Sequence, residues 1–509
     1  MPCKDWHFRT WGTEDSDIHG LKHITRQKGG KLRKLVWLVC FLTAAGYFLY
    51  LGYNAILNFL MRHHITKVDI TYVNQVEFPA VTVCNFNKYR ESALTEHDIK
   101  NVGFHLGIID KDHNLIDPHL YTEEFQRRLQ EIDWSKVDND ENYNMTEFQL
   151  RTGHQLEDMV IECDWKEEPC EHKDFIHRFT HYGNCYTFND WTHGDNRHNS
   201  STAGASNGLR LIIDIEEIEY TPTNDLDAAG LDAGIKVMLH HPTEPPYIKE
   251  LGFSTAPGMH TFVKMKHEQI SSLGPPYTTC ETDGDAGMKY YSHYSLQACR
   301  IECETNVIVE ECGCRLAEQP GDTEICNPEN THLCAHPLLV DVIKGTSGHA
   351  DCACRNPCEV MHYPSTLSLS RLRPAFIQKM FHNTEHNMTE EYIAKNIAVI
   401  SVYYQALNYE TIEQRPEMDF LSLLATIGGH LGLFLGASLL SFIQIVEYLS
   451  DETLLCLGCM KKKERSTSNG RRPYNDQQLM AVQNGGKSES NNGFGVSVIS
   501  GTPTHNHNM

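Results

Sequence analysis

The sequence is short of basic charge. Among 509 residues, 44 Lys and Arg face 67 Asp and Glu, a formal net charge of −23. A field of that sign disfavours nucleic acid and anionic lipid as partners and favours cations. Catalytic signatures are missing too: no P-loop, GxGxxG, HExxH or GxSxG stretch occurs, so the chain is not expected to be an enzyme or to hold a cofactor. Long apolar runs are scarce. Only residues 35–61 and 420–446 stay free of Asp, Glu, Lys and Arg over 27 positions each. A helix needs roughly 20 apolar residues to cross a ~30 Å hydrocarbon core, so both runs can span with some tilt. Two crossings exclude a polytopic transporter and leave one very large loop.

Charge and cysteine separate that loop from its flanks. Residues 1–61 hold 8 Lys and Arg against 4 Asp and Glu, and residues 420–509 hold 7 against 6. The flanks therefore carry +4 and +1, leaving −28 on residues 62–419. The same stretch holds 14 of the 18 cysteines and 23 of the 29 histidines. Arg26, Lys28, Lys31, Arg33 and Lys34 precede the first run, and Lys461, Lys462, Lys463 and Arg465 follow the second. Basic residues beside a span stay cytoplasmic, which puts both termini inside and the loop outside. The first run is too long and too deep in the chain for a signal-peptide core, and is expected to remain as an anchor.

The expected organisation is a cytoplasmic segment at 1–34, a first transmembrane helix at 35–61, an extracellular domain at 62–419, a second transmembrane helix at 420–449 and a cytoplasmic tail at 450–509. The tail is Ser/Asn/Gly-rich beyond 461 and is expected to be disordered. Cys456 and Cys459, just inside the membrane, suit lipidation or free thiols better than a redox pair.

An even number of loop cysteines on the oxidising side fits complete pairing. The three N-x-S/T sequons, at Asn144, Asn199 and Asn387, lie there as well. Spacings such as Cys299-x3-Cys303, Cys312-Gly313-Cys314 and Cys352-Ala353-Cys354-x3-Cys358 would also suit zinc. The compartment favours disulfides and no metal. Cys299/Cys303 and Cys354/Cys358 share the i, i+4 spacing of one helix face, so two rows stapled rung by rung are expected.

Residues 65–85 are rich in Val, Ile and Thr and predict strands broken at Pro79. Further strands are expected at 184–190, 209–219, 235–241 and 397–412, with helical character in parts of 92–180, at 295–310 and at 367–394. The 397–412 strand runs toward the second span. An α+β membrane protein follows, with a β-sheet hub joined to both spans and helical modules between the strands.

The second span is not a plain anchor. Gly428, Gly432 and Gly436 recur every four residues and lead into Ala437 and Ser438, so one helix face is nearly bare backbone. Such spacing permits close helix packing. The polar residues Thr426, His430, Ser441, Gln444 and Glu447 suit a water-filled path equally well. Two spans cannot enclose a pore, so a pore would need an oligomer around a symmetry axis.

Several stretches together resemble the degenerin/epithelial sodium channel family, and most closely its acid-sensing ion channel branch. They are His19-Gly20, HHITKVD at 63–69, FPAVTVCN at 78–85, YGNCYTFN at 182–189, AGIKVMLHHPTEPPYIKELGFSTAPG at 233–258, YSLQACRIECETNVIVEECGCR at 294–315, LNYETIEQ at 407–414 and IGGHLGLFLGAS at 427–438. The resemblance runs colinearly from about residue 16 to 460. It implies a homotrimer or a heterotrimer with related subunits, in the plasma membrane, with a helical thumb and finger set on the β hub. Na⁺, with Ca²⁺ as a further candidate, would permeate, and amiloride would block.

The resemblance makes Gly436, Ala437 and Ser438 the selectivity filter. Carbonyls and a hydroxyl from three copies can replace part of an ion's hydration shell. His19 and Gly20 would support the lower pore, Thr426 stands where relatives carry an outer-pore Asp, and Glu447 would add a carboxylate ring below the filter. The implied disulfides are Cys84–Cys185, Cys163–Cys170, Cys280–Cys358, Cys299–Cys354, Cys303–Cys352, Cys312–Cys334 and Cys314–Cys326, the middle ones stapling two antiparallel thumb helices. Tyr277 takes the place of a Trp that touches the top of the first span.

Protons are the expected ligand. Carboxylates that share a site titrate toward neutral pH, and histidine titrates near ~6.5 unaided. His63 and His64 match a pair found just outside the first span in proton-activated relatives. Asp225, Glu244 and Glu410 fall on acidic positions of the sensing pocket and palm. His336, Val340, Ser401, Gln405, Ile70 and Thr243 stand where those relatives carry acids. A Glu244–His336 contact would convert loss of repulsion into gain of attraction. The alternatives are an acid-insensitive channel of the same build, opened by peptide or force, and a non-conducting cell-surface receptor.

Overall fold

The computed structural model describes residue 18, residues 20–25, 30–140, 143–192, 197–223, 231–282, 287–345, 352–381 and 388–438, and positions 443, 446 and 450. The chain forms two compact units, Met1–Ala45 with Leu431–Met509, and Gly46–His430. The expectations at His19, Asp225, Asn387, Glu447, Cys456 and Cys459 lie outside the described residues.

The first helices among the described residues are α1 (Leu21–Thr25) and α2 (Lys31–Leu60). At 1.5 Å per residue α2 is ~45 Å long, more than a ~30 Å hydrocarbon core requires. Among the described residues it is the one helix long and apolar enough to cross a membrane. Gly20, at φ +88°, brings bare backbone against Phe41 and Trp37, and His23 stacks on Trp37 at 4.3 Å.

The larger unit is built on strands. In chain order these are β1 (His64–Tyr72), β2 (Ala80–Asn85), β3 (Val160–Trp165), β4 (Phe175–Thr180), β5 (Gly183–Phe188), β6 (Leu209–Asp214), β7 (Ile235–His240), β8 (Phe253–Thr255), β9 (Met259–Ser271), β10 (Glu359–His362), β11 (Ser365–Arg371) and β12 (Ile397–Pro416). An eight-stranded sheet, here the palm, runs β10-β9-β12-β6-β3 to a short strand at Glu168–Pro169, with β1 added to β12 and β11 to β9. A five-stranded sheet runs β8-β7-β2-β5-β4. Their facing sides share one core, in which Val81, Val83 and Phe188 meet Leu211, Ile213, Val263, Met265, Ile400 and Tyr404. Burial of these side chains contributes ~1.5–3 kcal/mol each.

Helices α3 (Glu96–Val102), α4 (Glu123–Glu131) and α5 (Met145–Thr152) gather a second core around Leu94, Ile99, Phe125 and Phe148. Thr95 and Asp98 close a reciprocal capping box on α3, satisfying two backbone N–H groups at its start. The thumb consists of α6 (Leu296–Cys312) and α7 (His336–Lys344). Ser295 caps α6, and Gly313 ends it at φ +72°, a conformation that costs a residue without Cβ little. Helices α8 (Pro374–Phe381) and α9 (Glu390–Asn396) precede β12, and α10 (Phe420–Leu435) follows it after Glu417–Asp419.

Three expectations change. Residues 365–371 form β11 rather than helix, because Ser-Thr-Leu-Ser-Leu-Ser-Arg alternates with period two and pairs along β9. The expected helix over 420–449 is interrupted after Leu435, and positions 443, 446 and 450 are helical again. Gly436 takes φ +60°, and residues 436–438 are not helical. Sixteen residues of α10 give ~24 Å, short of a full crossing by that helix alone.

The third change concerns the thumb disulfides. All seven pairs named above are present. Cys352, Cys354 and Cys358, however, lie in chain without helix. Cys299 and Cys303, four helical residues apart, pair with Cys354 and Cys352, two residues apart. Four helical residues rise ~6 Å, about what two residues of non-helical chain can cover, so the rungs match without a second helix. Cys312–Cys334 instead ties α6 to the π-helical segment Thr331–Ala335 that runs directly into α7.

Candidate functional site

Glu244 is set by the turn that follows β7. Its N–H donates to the His241 carbonyl at 2.9 Å, and Pro245-Pro246 carry the chain away. The carboxyl borders a cavity of about 440 Å³ whose walls include Tyr247, Glu250, Tyr291, Glu304 and Glu318. Burial pushes Glu244 from 4.5 up to about 7, opposed only by a backbone hydrogen bond from His241. Glu304, on α6, is also raised, by burial first, although the Tyr247 hydroxyl donates to its Oε1 at 2.9 Å and Arg300 lies near. Glu318 buries its Oε1 with no hydrogen-bond partner. Four carboxyl groups, those of Glu244, Glu250, Glu304 and Glu318, thus border one partly apolar cavity, and burial favours the neutral forms of Glu244 and Glu304. A second cavity of about 490 Å³, lined by Met238, Phe253, Met361 and Tyr363, reaches Glu244 from the palm side.

His336 does not join this site. It lines a separate cavity of about 390 Å³ with Lys88, Tyr89, His105 and Asp341, whereas α7 offers Leu339 and Ile343 to the Glu244 cavity. At 100° per residue Leu339 and Ile343 form one edge of the inward helix face and His336 and Val340 the next. Glu244 and His336 thus line different cavities, and Glu304 and Glu318 border the one that Glu244 faces. Sequence reading missed these two acids because they lie some sixty and seventy positions away and only the thumb fold returns them.

In the palm, Glu410 stands opposite Ile70 of β1 and Glu268 of β9. Lys266 pairs with Glu410 at 3.1 Å, so this acid faces a cation as well as a neighbouring carboxylate. Ser401, in place of an acid, hydrogen-bonds His260 at 2.9 Å. His63 and His64 are exposed where β1 begins, and the His63 carbonyl accepts from Glu417 N–H at 2.9 Å. The Arg62 guanidinium lies 5.5 Å from the Tyr277 ring, which keeps an aromatic contact between the thumb base and the end of α2. Thr426 is half-buried on α10, and Ala437 is buried in the non-helical stretch after it.

Asn144 is exposed and caps α5 through its Oδ1, leaving the amide nitrogen for a glycan. Asn199 is half-buried in a strand pair with Glu77 and its Oδ1 is buried, a poorer acceptor. Among the described residues no group of three or more His, Cys, Asp or Glu is arranged to hold a metal ion.

Comparison with known proteins agrees with this build. The model of the family described as "Amiloride-sensitive sodium channel" matches residues 13–448. The chain belongs to that family. It is similar to acid-sensing ion channel 2 of Rattus norvegicus, 36% identical over 455 residues that cover 89% of this chain and 88% of the relative. Acid-sensing ion channel 1 of Gallus gallus is 36% identical over 435 residues, 85% of this chain and 82% of the relative. A cryo-EM structure of a proton-activated chloride channel overlaps 82% of this chain and 98% of its own at a TM-score of 0.30 and 8% identity, too slight to carry an argument.

Proposed function

We propose that this chain is a subunit of a proton-gated, amiloride-blocked sodium channel of the plasma membrane. Three subunits, identical or related, surround one axis. Each crosses the membrane through α2 and through α10 with the residues beyond it, and both termini are cytoplasmic. Gly436, Ala437 and Ser438 face the ion path as the filter. The left-handed backbone at Gly436 supports this, because carbonyls freed from a helix ladder can turn toward a cation.

The carrying observation for proton gating is the Glu244 carboxyl, raised to about 7 in a cavity it shares with Glu304 and Glu318. The sign follows from linkage. A carboxyl raised in one conformer and ordinary, near 4.5, in another binds more protons in the first. Acid between pH 7 and 4.5 therefore favours the conformer that keeps Glu244 buried and the thumb drawn onto it.

Expression in oocytes with external pH steps and amiloride tests the reading. An amiloride-blocked inward sodium current on stepping to pH 5.5 is expected. Protein at the surface with no current at any pH would defeat proton gating. A small-residue substitution in α10 that still failed to give a sodium current would count for a non-conducting receptor.

A further inference from the structure

A histidine that none of these assignments uses sits at a register shift in the palm. Along the β9/β12 ladder Met265 pairs with Tyr404, and the next pair is His267 with Tyr409, so Gln405–Asn408 of β12 span the length of Lys266 alone. His267 fills the slot this creates. It is 3% exposed, its Nδ1 is buried with no hydrogen-bond partner, and its ring meets Tyr409 edge-on at 4.5 Å and Tyr363 at 5.4 Å. Below it, residues Asn408–Pro416 of β12 pair with all of β1. That ribbon starts four residues after α2 and ends four residues before α10.

We propose that His267 is a proton-responsive catch for this ribbon: neutral, it packs between Tyr363 and Tyr409 and holds β12 in register; protonated, it leaves the slot and frees the strand pair leading to both helices. An imidazolium cannot remain where it is, because a buried charge needs a partner and two edge-on tyrosine rings supply none. The charged groups around it do not substitute. Lys266 and Glu268 share its strand but point to the opposite sheet face and are engaged with Glu410 and His362. His241, from the turn after β7, adds like charge, while Glu244 and Glu77 act on the tyrosines.

Burial, then His241, hold His267 near 4, offset in part by its own carbonyl. A histidine whose pKa is depressed in the packed conformer favours that conformer above ~6.5 and loses the advantage as pH falls toward 4. Acid therefore acts with opposite signs at two levels. It retains Glu244 in its cavity and expels His267 from the palm. The inference rests on the proton-gating reading only for its consequence at the pore.

The test is amide exchange on the full chain in nanodiscs at pH 7.4 and 5.5, corrected for intrinsic rates. For a pKa near 4 against 6.5, protection at Met265–His267 and Gln405–Tyr409 should fall about tenfold at pH 5.5. His267→Phe should abolish that fall, and His267→Gln, polar and non-titrating, should do the same if the Phe variant does not fold. Unchanged wild-type protection, or an equal fall in a folded variant, overturns the inference. Lost protection without acid current would sustain the catch and defeat the gating reading. Acid current with unchanged protection would do the reverse.

Discussion

The thumb and the palm are built by opposite means. Five of the seven disulfides fall within residues 280–358, while the β1/β12 ribbon, between α2 and α10 in the chain, has none. Cross-links restrict the thumb to moving as one body, whereas the ribbon is held by ladder hydrogen bonds and side-chain packing that can part and reform. The titratable groups lie where the two regimes meet: Glu244 and Glu304 against the thumb, His267 at the head of the ribbon. In the proposed gating, a stiff lever coupled to a compliant strap would turn a small electrostatic change into displacement of the helices that follow it in the chain.

The comparison breaks most severely if the lever is softened. Cys280→Ser with Cys358→Ser releases a loop of 78 residues and should cost about 4 kcal/mol by loop-closure entropy, read as a lower melting temperature and faster proteolysis between 280 and 358. Next in size, Tyr404→Phe removes the hydroxyl that donates to the Glu77 carbonyl at 2.5 Å and should cost about 1–2 kcal/mol in chemical denaturation. Glu304→Gln fixes one cavity acid in its neutral form. It should move acid activation toward neutral pH by a few tenths of a unit, measured from current–pH curves, because Tyr247 already relieves part of the burial cost. Smallest, Lys266→Met should change stability by less than about 1 kcal/mol, since the lysine is half in solvent and screened. A gel-shift comparison sharpens the surface picture: Asn144→Gln should remove a glycan and Asn199→Gln none.

Much of this was legible in residues that carry their own punctuation. The loop cysteines are all paired as their resemblance implied, and the first uncharged run is a helix long enough to span, both read without reference to distant partners. What stayed hidden needs the fold. Strand β9 (MHTFVKMKHEQIS) escaped notice because histidine and threonine occupy its inward positions, although Thr261, Val263, Met265 and His267 keep the period of two and are all buried. His336 and Glu244 line different cavities because a position in the chain gives the place along a helix and not the rotation that selects a cavity. The thumb rungs looked like two helices because i, i+4 spacing on one partner was assumed for the other.

One measurement bears most directly on the account: the current–pH curve of Glu244→Gln beside the wild type at equal surface density. Gln mimics the protonated carboxyl at every pH, so the account predicts a midpoint shifted toward neutral and a shallower slope between pH 7 and 4.5. A curve superimposable on the wild type would contradict it.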